Sequence, residues 1–230
     1  MKYKNIVEGK FIERPNRFIA HVEIEGKEHV VHVKNTGRCK ELLQPKATVY
    51  LEKSDNPTRK TLYDLVSVKK GERIVNMNSQ LPNGLVEEWL SESEAAREIF
   101  GDITHIKREK TYGKSRFDLY VESGNRKIFI EVKGVTLEND NVVSFPDAPT
   151  ERGIKHLNEL VDALDDGYEA YVFFVIQMEG VDYFTPAWDK HKAFGEALVN
   201  AYNKGVKVLA YDCKVSENEV RISQAVRVKL

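Results

Sequence analysis

Two apolar runs joined by a single turn, between Ser115 and Lys133, fix most of what this chain can become. Ser115-Arg116-Phe117-Asp118-Leu119-Tyr120-Val121-Glu122 reads as one strand and Ser123-Gly124-Asn125 as a turn. Arg126-Lys127-Ile128-Phe129-Ile130-Glu131-Val132-Lys133 reads as the next strand. Successive side chains of a strand point to opposite faces. Phe129, Glu131 and Lys133 therefore share one face, and Ile128, Ile130 and Val132 enter the core from the other. Asp118 lies on the neighbouring strand. Two carboxylates and an ammonium thus fall within one small volume.

The rest of 81–230 supplies an α/β frame for that pair. Leu85 to Phe100 is expected to be one helix with apolar Val86, Leu90, Ile99 and Phe100 and an acidic side that includes Glu87, Glu94 and Glu98. Ile103 to Glu109 is a strand, with Ile103, His105 and Lys107 on one face and Thr104, Ile106 and Arg108 on the other. Prolines at 146 and 149 interrupt the chain before Thr150, which can cap a helix carrying Ile154, Leu157, Leu160, Val161 and Leu164 inward. Tyr171 to Ile176 is apolar throughout, as a strand covered on both faces would be. A helix over Asp189 to Tyr202, a strand over Val206 to Cys213 and an edge strand over Val220 to Leu230 complete an α-β-β-β-α-β-α-β order around a mixed sheet. That last edge could pair with a second copy of the chain.

Residues 1–80 read differently. Lys10 to Glu13, Phe18 to Ile24, Glu28 to Val33, Ala47 to Glu52 and Thr61 to Val68 are short strand candidates, with a hairpin turn at Glu25-Gly26-Lys27. Several short strands in this length predict a small barrel. Charge divides along the same line: 1–80 carries a net +6 and 81–230 a net −7. A basic barrel can hold nucleic acid. Candidate phosphate contacts are Lys34, Asn35, Thr36 and Arg38 after one strand, Arg59 and Lys60 in a loop, Arg116 beside Asp118, and Arg152 and Lys155 at a helix start. Each reads equally as an ordinary solvated turn or ion pair. The polar stretch Asn76-Met77-Asn78-Ser79-Gln80 at the boundary either locks two units by hydrogen bonds or reaches a substrate. Cys39 to Leu43 reads as a short helix. Cys39 and Cys213 are too far apart, and too lacking in companions, for a zinc site, and read as two reduced thiols. No apolar run is long enough for a membrane span and no apolar leader follows Met1, so a cytoplasmic location with no membrane partner is expected.

Two hard carboxylates beside a lysine suit metal-assisted phosphodiester cleavage. Asp118 and Glu131 would take Mg²⁺ or Mn²⁺, with the Val132 carbonyl as a further ligand and Glu98 as a further acid. Lys133 would orient water or stabilise pentacovalent phosphorus. The competing reading is a solvated carboxylate–lysine pair of little energetic worth. Gln177 could project into the same cleft, while His156 is placed on the polar side of its helix.

At these residues the chain resembles the sugar fermentation stimulation protein A family. The matching stretches include Asn35-Thr36-Gly37, Ser54-Asp55-Asn56-Pro57, Leu81-Pro82-Asn83 and Tyr112-Gly113-Lys114-Ser115-Arg116-Phe117-Asp118. They continue with Glu131-Val132-Lys133-Gly134-Val135-Thr136-Leu137 and with Phe145-Pro146-Asp147-Ala148-Pro149-Thr150-Glu151-Arg152-Gly153. The resemblance implies an N-terminal OB-like β-barrel over 1–80, followed over 81–230 by a restriction-endonuclease-like α/β domain with a mixed sheet, similar to the PD-(D/E)xK nucleases. It implies that Asp118, Glu131 and Lys133 are the catalytic set, with Glu98 the nearest fit for a fourth acid. Gly134 departs from the pattern, since some relatives carry asparagine there. Two functions follow as expectations: a metal-dependent nuclease acting on nucleic acid, DNA foremost, or a non-catalytic DNA-binding regulator of sugar (maltose) metabolism genes that uses the nuclease-like fold as a scaffold. No recognition helix for groove reading is visible.

Overall fold

The computed structural model describes every residue of the 230-residue chain except Thr36, so the reading of Thr36 as a phosphate contact lies outside the described residues. Six strands build the first unit: β1 (Ile6–Glu13), β2 (Ile19–Ile24), β3 (Lys27–Val33), β4 (Thr48–Lys53), β5 (Tyr63–Lys70) and β6 (Arg73–Asn76). They run in the order β3-β2-β1-β4-β5-β6, and a parallel β3–β5 pairing closes β1 to β5 into a barrel. Closure removes the free edges that a five-strand sheet would otherwise expose. Glu25 and Gly26 both take positive φ, 51° and 74°, as a two-residue hairpin turn between right-twisted strands requires. β1 begins four residues earlier than its apolar pattern predicts. The expected helix at Cys39 to Leu43 is a single turn, held by the Cys39 carbonyl accepting from the N–H groups of Leu42 and Leu43.

The second unit holds α1 (Pro82–Glu92), α2 (Glu94–Phe100), β7 (Ile103–Tyr112), β8 (Ser115–Ser123), β9 (Arg126–Val135), β10 (Leu137–Asn139), β11 (Val142–Phe145) and α3 (Glu151–Asp165). It continues with β12 (Glu169–Ile176), β13 (Tyr183–Pro186), α4 (Lys192–Lys204), β14 (Lys207–Val215), β15 (Val220–Ala225) and β16 (Arg227–Val228). The main sheet is mixed, in the order β15-β14-β12-β9-β8-β7. The short strands β10, β11, β13 and β16 form a second sheet that the sequence pattern does not announce. The helix expected over Leu85 to Phe100 is two helices, broken at Ser93, whose ψ of 135° is extended. In a straight helix Trp89 and Phe100 would stand about 16 Å apart along the axis. The break brings their rings to 6.3 Å, so both enter one aromatic core with Phe173 and Tyr211. A bulge between Ile103 and His105 likewise puts Ile103 and Ile106 against the same core, not on the opposite faces expected.

Amide side chains join the units. Gln177 Nε2 donates to the Asn76 side-chain oxygen at 2.9 Å and to the Asn78 carbonyl at 3.1 Å. The Asn76 amide nitrogen donates to the Tyr3 hydroxyl, the Val66 carbonyl and the Ser67 hydroxyl. The locking reading of this stretch is thus the one the structure takes, and Gln177, 1% exposed, serves the lock while also lining a narrow pocket with Gly134 and Val135. A Cβ on Gly134 would lie 2.7 Å from Gln177 Oε1 and 2.9 Å from Pro82 Cγ, so this close approach excludes a side chain.

Candidate active site

The sheet delivers the predicted pair. β9 runs between β8 and β12, and its Glu131 and Lys133 follow Phe129 on the face toward α3, while Ile128, Ile130 and Val132 pack toward α1. β8 and β9 pair residue for residue only as far as Leu119 and Ile130. Beyond that point Asp118 replaces the ladder: its Oδ2 accepts from the Val132 N–H at 2.8 Å, and its Oδ1 from Asn83 Nδ2 at 2.8 Å. Asn83 sits in the first turn of α1, directly after Pro82 at the helix start.

Glu131 is 2% exposed. Its Oε1 accepts from Lys133 Nζ at 2.5 Å and is bonded by His156 Nδ1, whereas its Oε2 is buried with no hydrogen-bond partner among the described residues. Burial pushes the Glu131 carboxyl up, but His156 and Lys133 outweigh it and hold it below its ordinary value. Asp118 moves the other way. Burial raises it, the charge of Glu131 raises it further, and the Val132 amide and Lys133 only partly offset them. Two carboxyls pushed apart in this manner are the mark of a shared charge site.

The remaining candidates scatter. Glu98 is exposed on α2 and its charge bears on Tyr211, not on Asp118 or Glu131; the group that α1 and α2 do bring to Asp118 is the amide of Asn83. His156 is corrected outright. It is 4% exposed, not solvated, and its other ring nitrogen faces Arg152 at 3.4 Å. Lys34 and Arg59 are turned to Asp64, at 2.9 and 2.6 Å, and Asn35 bonds the Met77 carbonyl and the Gly37 N–H. These three side chains thus have partners within the chain. Lys60 and Arg38 are exposed. Arg116 is an exposed partner of Glu109 at 3.1 Å, and together with Lys114, Arg152 and Lys155 it lines a cleft of about 430 Å³ that ends at His156. Glu131 lies one side chain below that floor, behind His156. Thr150 caps α3 as expected, its hydroxyl accepting from the Gly153 N–H at 3.0 Å. Cys39 and Cys213 are buried free thiols, and burial pushes Cys39 up to about 12. Among the described residues no helix is long and apolar enough to cross a membrane.

Among the described residues no cluster of three or more His, Cys, Asp or Glu side chains is gathered for a metal. The donor set is smaller and harder. An unpartnered buried carboxylate oxygen on Glu131 beside a second carboxylate fits an octahedral cation that keeps several waters and takes only one or two protein carboxylates.

Residues 12–77 match the family model described as the SfsA N-terminal OB domain, and residues 80–219 match the sugar fermentation stimulation protein RE domain. A sugar fermentation stimulation protein homolog of Ruminiclostridium cellulolyticum is 59% identical over the whole of both chains. One from Desulfitobacterium hafniense strain DSM 10664 is 56% identical over 100% of this chain and 99% of its own. The solved structure of Pyrococcus furiosus SfsA in complex with Ca²⁺ superposes with a TM-score of 0.88 at 28% identity, covering 100% of this chain and 98% of that one.

Proposed function

Because the chain belongs to the sugar fermentation stimulation protein family, we propose that it is a divalent-metal-dependent nuclease, with Mg²⁺ or Mn²⁺ held by Asp118 and Glu131. The observation that carries this reading is the unpartnered, buried Oε2 of Glu131. A buried carboxylate oxygen without a donor costs several kcal/mol, on the order expected for a lost charged hydrogen bond, and a cation removes that cost. The Pyrococcus relative was solved in complex with Ca²⁺, which is in keeping with a divalent cation on this fold.

Each residue then has a task. Asp118 is aimed by Asn83 and by the Val132 amide, so its carboxylate is fixed before any ligand arrives. His156 and Lys133 both bind Oε1 of Glu131, which leaves the buried Oε2 as the oxygen without a donor inside the chain, among the described residues. The bound cation supplies positive charge against the phosphate oxygens and polarises the attacking water. Lys133 offers a hydrogen-bond donor to the charge that builds on the phosphoryl oxygens. The sequence-independent cations Arg116, Arg152 and Lys155 position the phosphodiester backbone above the carboxylates.

The test compares the intact protein with Asp118→Ala and Lys133→Ala on end-labelled single- and double-stranded DNA and RNA, with Mg²⁺ or Mn²⁺ and with chelator. Cleavage that needs the metal and both side chains is expected, with binding retained. Tight binding without metal-dependent cleavage on every substrate would overturn the enzyme and leave the non-catalytic DNA-binding regulator.

A further inference from the structure

A second opening lies between the two units, away from the carboxylates. It measures about 820 Å³ and takes Arg17, Arg38 and Lys40 from the barrel and Lys190 from the α/β unit, with the start of α3 at Pro149 and Thr150 in its wall. Glu41 and Asp147 also line it, so four cations face two acids. Arg17, Arg38 and Lys40 make no ion pair among the described residues, and Lys190 only approaches Asp189 at 3.9 Å. The barrel loop is braced from behind: the Arg14 guanidinium donates to the carbonyls of Arg17, Asn35, Gly37 and Arg38. Holding four carbonyls with one buried cation fixes the loop while its own charged side chains stay in water.

An exposed aromatic residue neighbours each wall in the sequence. Phe18, next to Arg17, is 56% exposed, and Trp188, two residues before Lys190, is 40% exposed. Lone exposed rings are ordinary on a protein surface, but beside these cations they are also what base stacking would use. A positive groove edged with aromatic faces is the arrangement that takes a single strand: cations track the phosphates and rings stack on unpaired bases. A duplex, its bases already stacked, has no use for the rings.

The opening also leads to the end of β9, the strand that carries Glu131 and Lys133. A narrower pocket lined by Gly134, Val135 and Thr136, immediately after Lys133, shares Gly37, Leu137, Phe145 and Asp147 with the interdomain opening. On the other side of Glu131, His156 closes the cleft of Lys114, Arg116, Arg152 and Lys155.

We infer that the groove between the barrel and the α/β unit binds a single-stranded nucleic acid, which runs from Arg17, Arg38, Lys40 and Lys190 past Lys133 to the cleft of Lys114 and Arg152. The inference deepens the nuclease reading and rests on it for the site the strand crosses, but its test needs no cleavage. Fluorescence anisotropy of labelled 20-mers, DNA and RNA, single-stranded and duplex, is measured in chelator across a salt series. The wild-type chain is expected to prefer single strands. Arg38→Ala/Lys40→Ala should weaken single-strand binding at least tenfold and make the slope of log K against log salt shallower by about 1.4, at about 0.7 per lost phosphate contact. Phe18→Ala should cost about tenfold on single strands and little on duplex. Lys190→Ala, on the other unit, should weaken binding in the same direction, which shows that both walls are used. Unchanged affinity and salt slope in Arg38→Ala/Lys40→Ala and Lys190→Ala with an unchanged melting curve, or an equal loss on duplex and single strand in Phe18→Ala, would overturn the path. A wild-type chain that binds no oligonucleotide overturns the path and the nuclease together. Binding through these residues without any cleavage overturns the nuclease alone.

Discussion

Asp64 in the barrel and Glu131 in the α/β unit are both almost wholly buried, at 3% and 2% exposure, and both sit among cations. Every oxygen of Asp64 is answered. Oδ1 takes Arg59 at 2.6 Å and His32 at 3.0 Å, and Oδ2 takes Arg59 at 3.0 Å and Lys34 at 2.9 Å. Glu131 receives two donors on one oxygen and none on the other. Asp64, which holds the barrel closed, is saturated by its own chain, and an unmet buried charge is costly. On the proposed function, Glu131, left half-met beside a second acid whose proton affinity is raised, is the one that takes a cation. The barrel carboxylate closes β3 onto β5, where His32 pairs in register with Asp64, whereas the β9 carboxylate stands where β8 and β9 stop pairing.

The largest effect that separates the two is on rate. Glu131→Gln should lower metal-dependent cleavage by about a thousandfold, roughly 4 kcal/mol of barrier. Asp64→Asn should leave cleavage per folded molecule within about threefold. Initial rates on a labelled oligonucleotide, normalised to the folded fraction, measure both, and equal losses would erase the distinction.

Stability should respond in the opposite order. Asp64→Asn removes the shared partner of Lys34 and Arg59, and the loss should be about 2–4 kcal/mol in denaturant unfolding. The lower half of that range is favoured because the Lys34 and Arg59 side chains keep 22% and 31% of their area in water. The effect depends on pH with a fixed sign. Burial alone would raise the Asp64 carboxyl, but the hydrogen bonds from Arg59 and Lys34 hold it well below the usual carboxylate range. An acid depressed in the folded state contributes its stability above its unfolded value, about 3.9, and loses it as pH falls through the folded value. The stability gap between wild type and Asp64→Asn should therefore be full at pH 7 and close as the pH drops below about 4. A gap that persists unchanged to pH 2 would mean that packing, not charge, holds this corner.

Much of this contrast is legible in the residues. Period-two alternation places Glu131 and Lys133 on one face and the aliphatic set on the other, and the short-strand rhythm of the first part gives the barrel. Other features carry no local signal. Strands of two to four residues, such as β10 and β16, are too short to show a period. The break at Ser93 has no proline or glycine to mark it, and is enforced by Trp89 and Phe100 reaching one core. Glu98 misleads because acids near a helix end look alike in sequence; only the packing of α1 on β8 and β9 makes Asn83, at the other end, the residue that meets Asp118. The pairing of Lys34 and Arg59 with Asp64 is not legible either, because Asp64, inside a strand, gives no hint of turning toward them. His156 does leave a trace. The buried stripe of α3 is Gly153, His156, Leu157, Leu160 and Ala163, spaced by three and four, and the histidine falls on it once Leu157 and Leu160 are taken as the anchors.

The smallest effect is the sharpest test, because it makes the same substitution in both units. Asp118→Asn swaps a carboxylate for an amide of nearly equal shape, as Asp64→Asn does. At Asp118 burial and the charge of Glu131 both oppose ionisation, and no cation lies in hydrogen-bond contact with it among the described residues. An acid raised in the folded state loses stability as pH rises through its unfolded value, so at pH 7 the Asp118 charge is a burden on the fold. The asparagine can still accept from the Val132 N–H with its carbonyl, and Asn83 can turn its own carbonyl toward the new amide. Asp118→Asn should therefore be neutral or stabilise the protein by up to about 1 kcal/mol in chelator, while cleavage is lost. Active sites commonly hold stability below what the fold could reach. A loss of about 2 kcal/mol or more at Asp118, matching that at Asp64, would make both carboxylates structural and remove the asymmetry on which the assignment of the site stands.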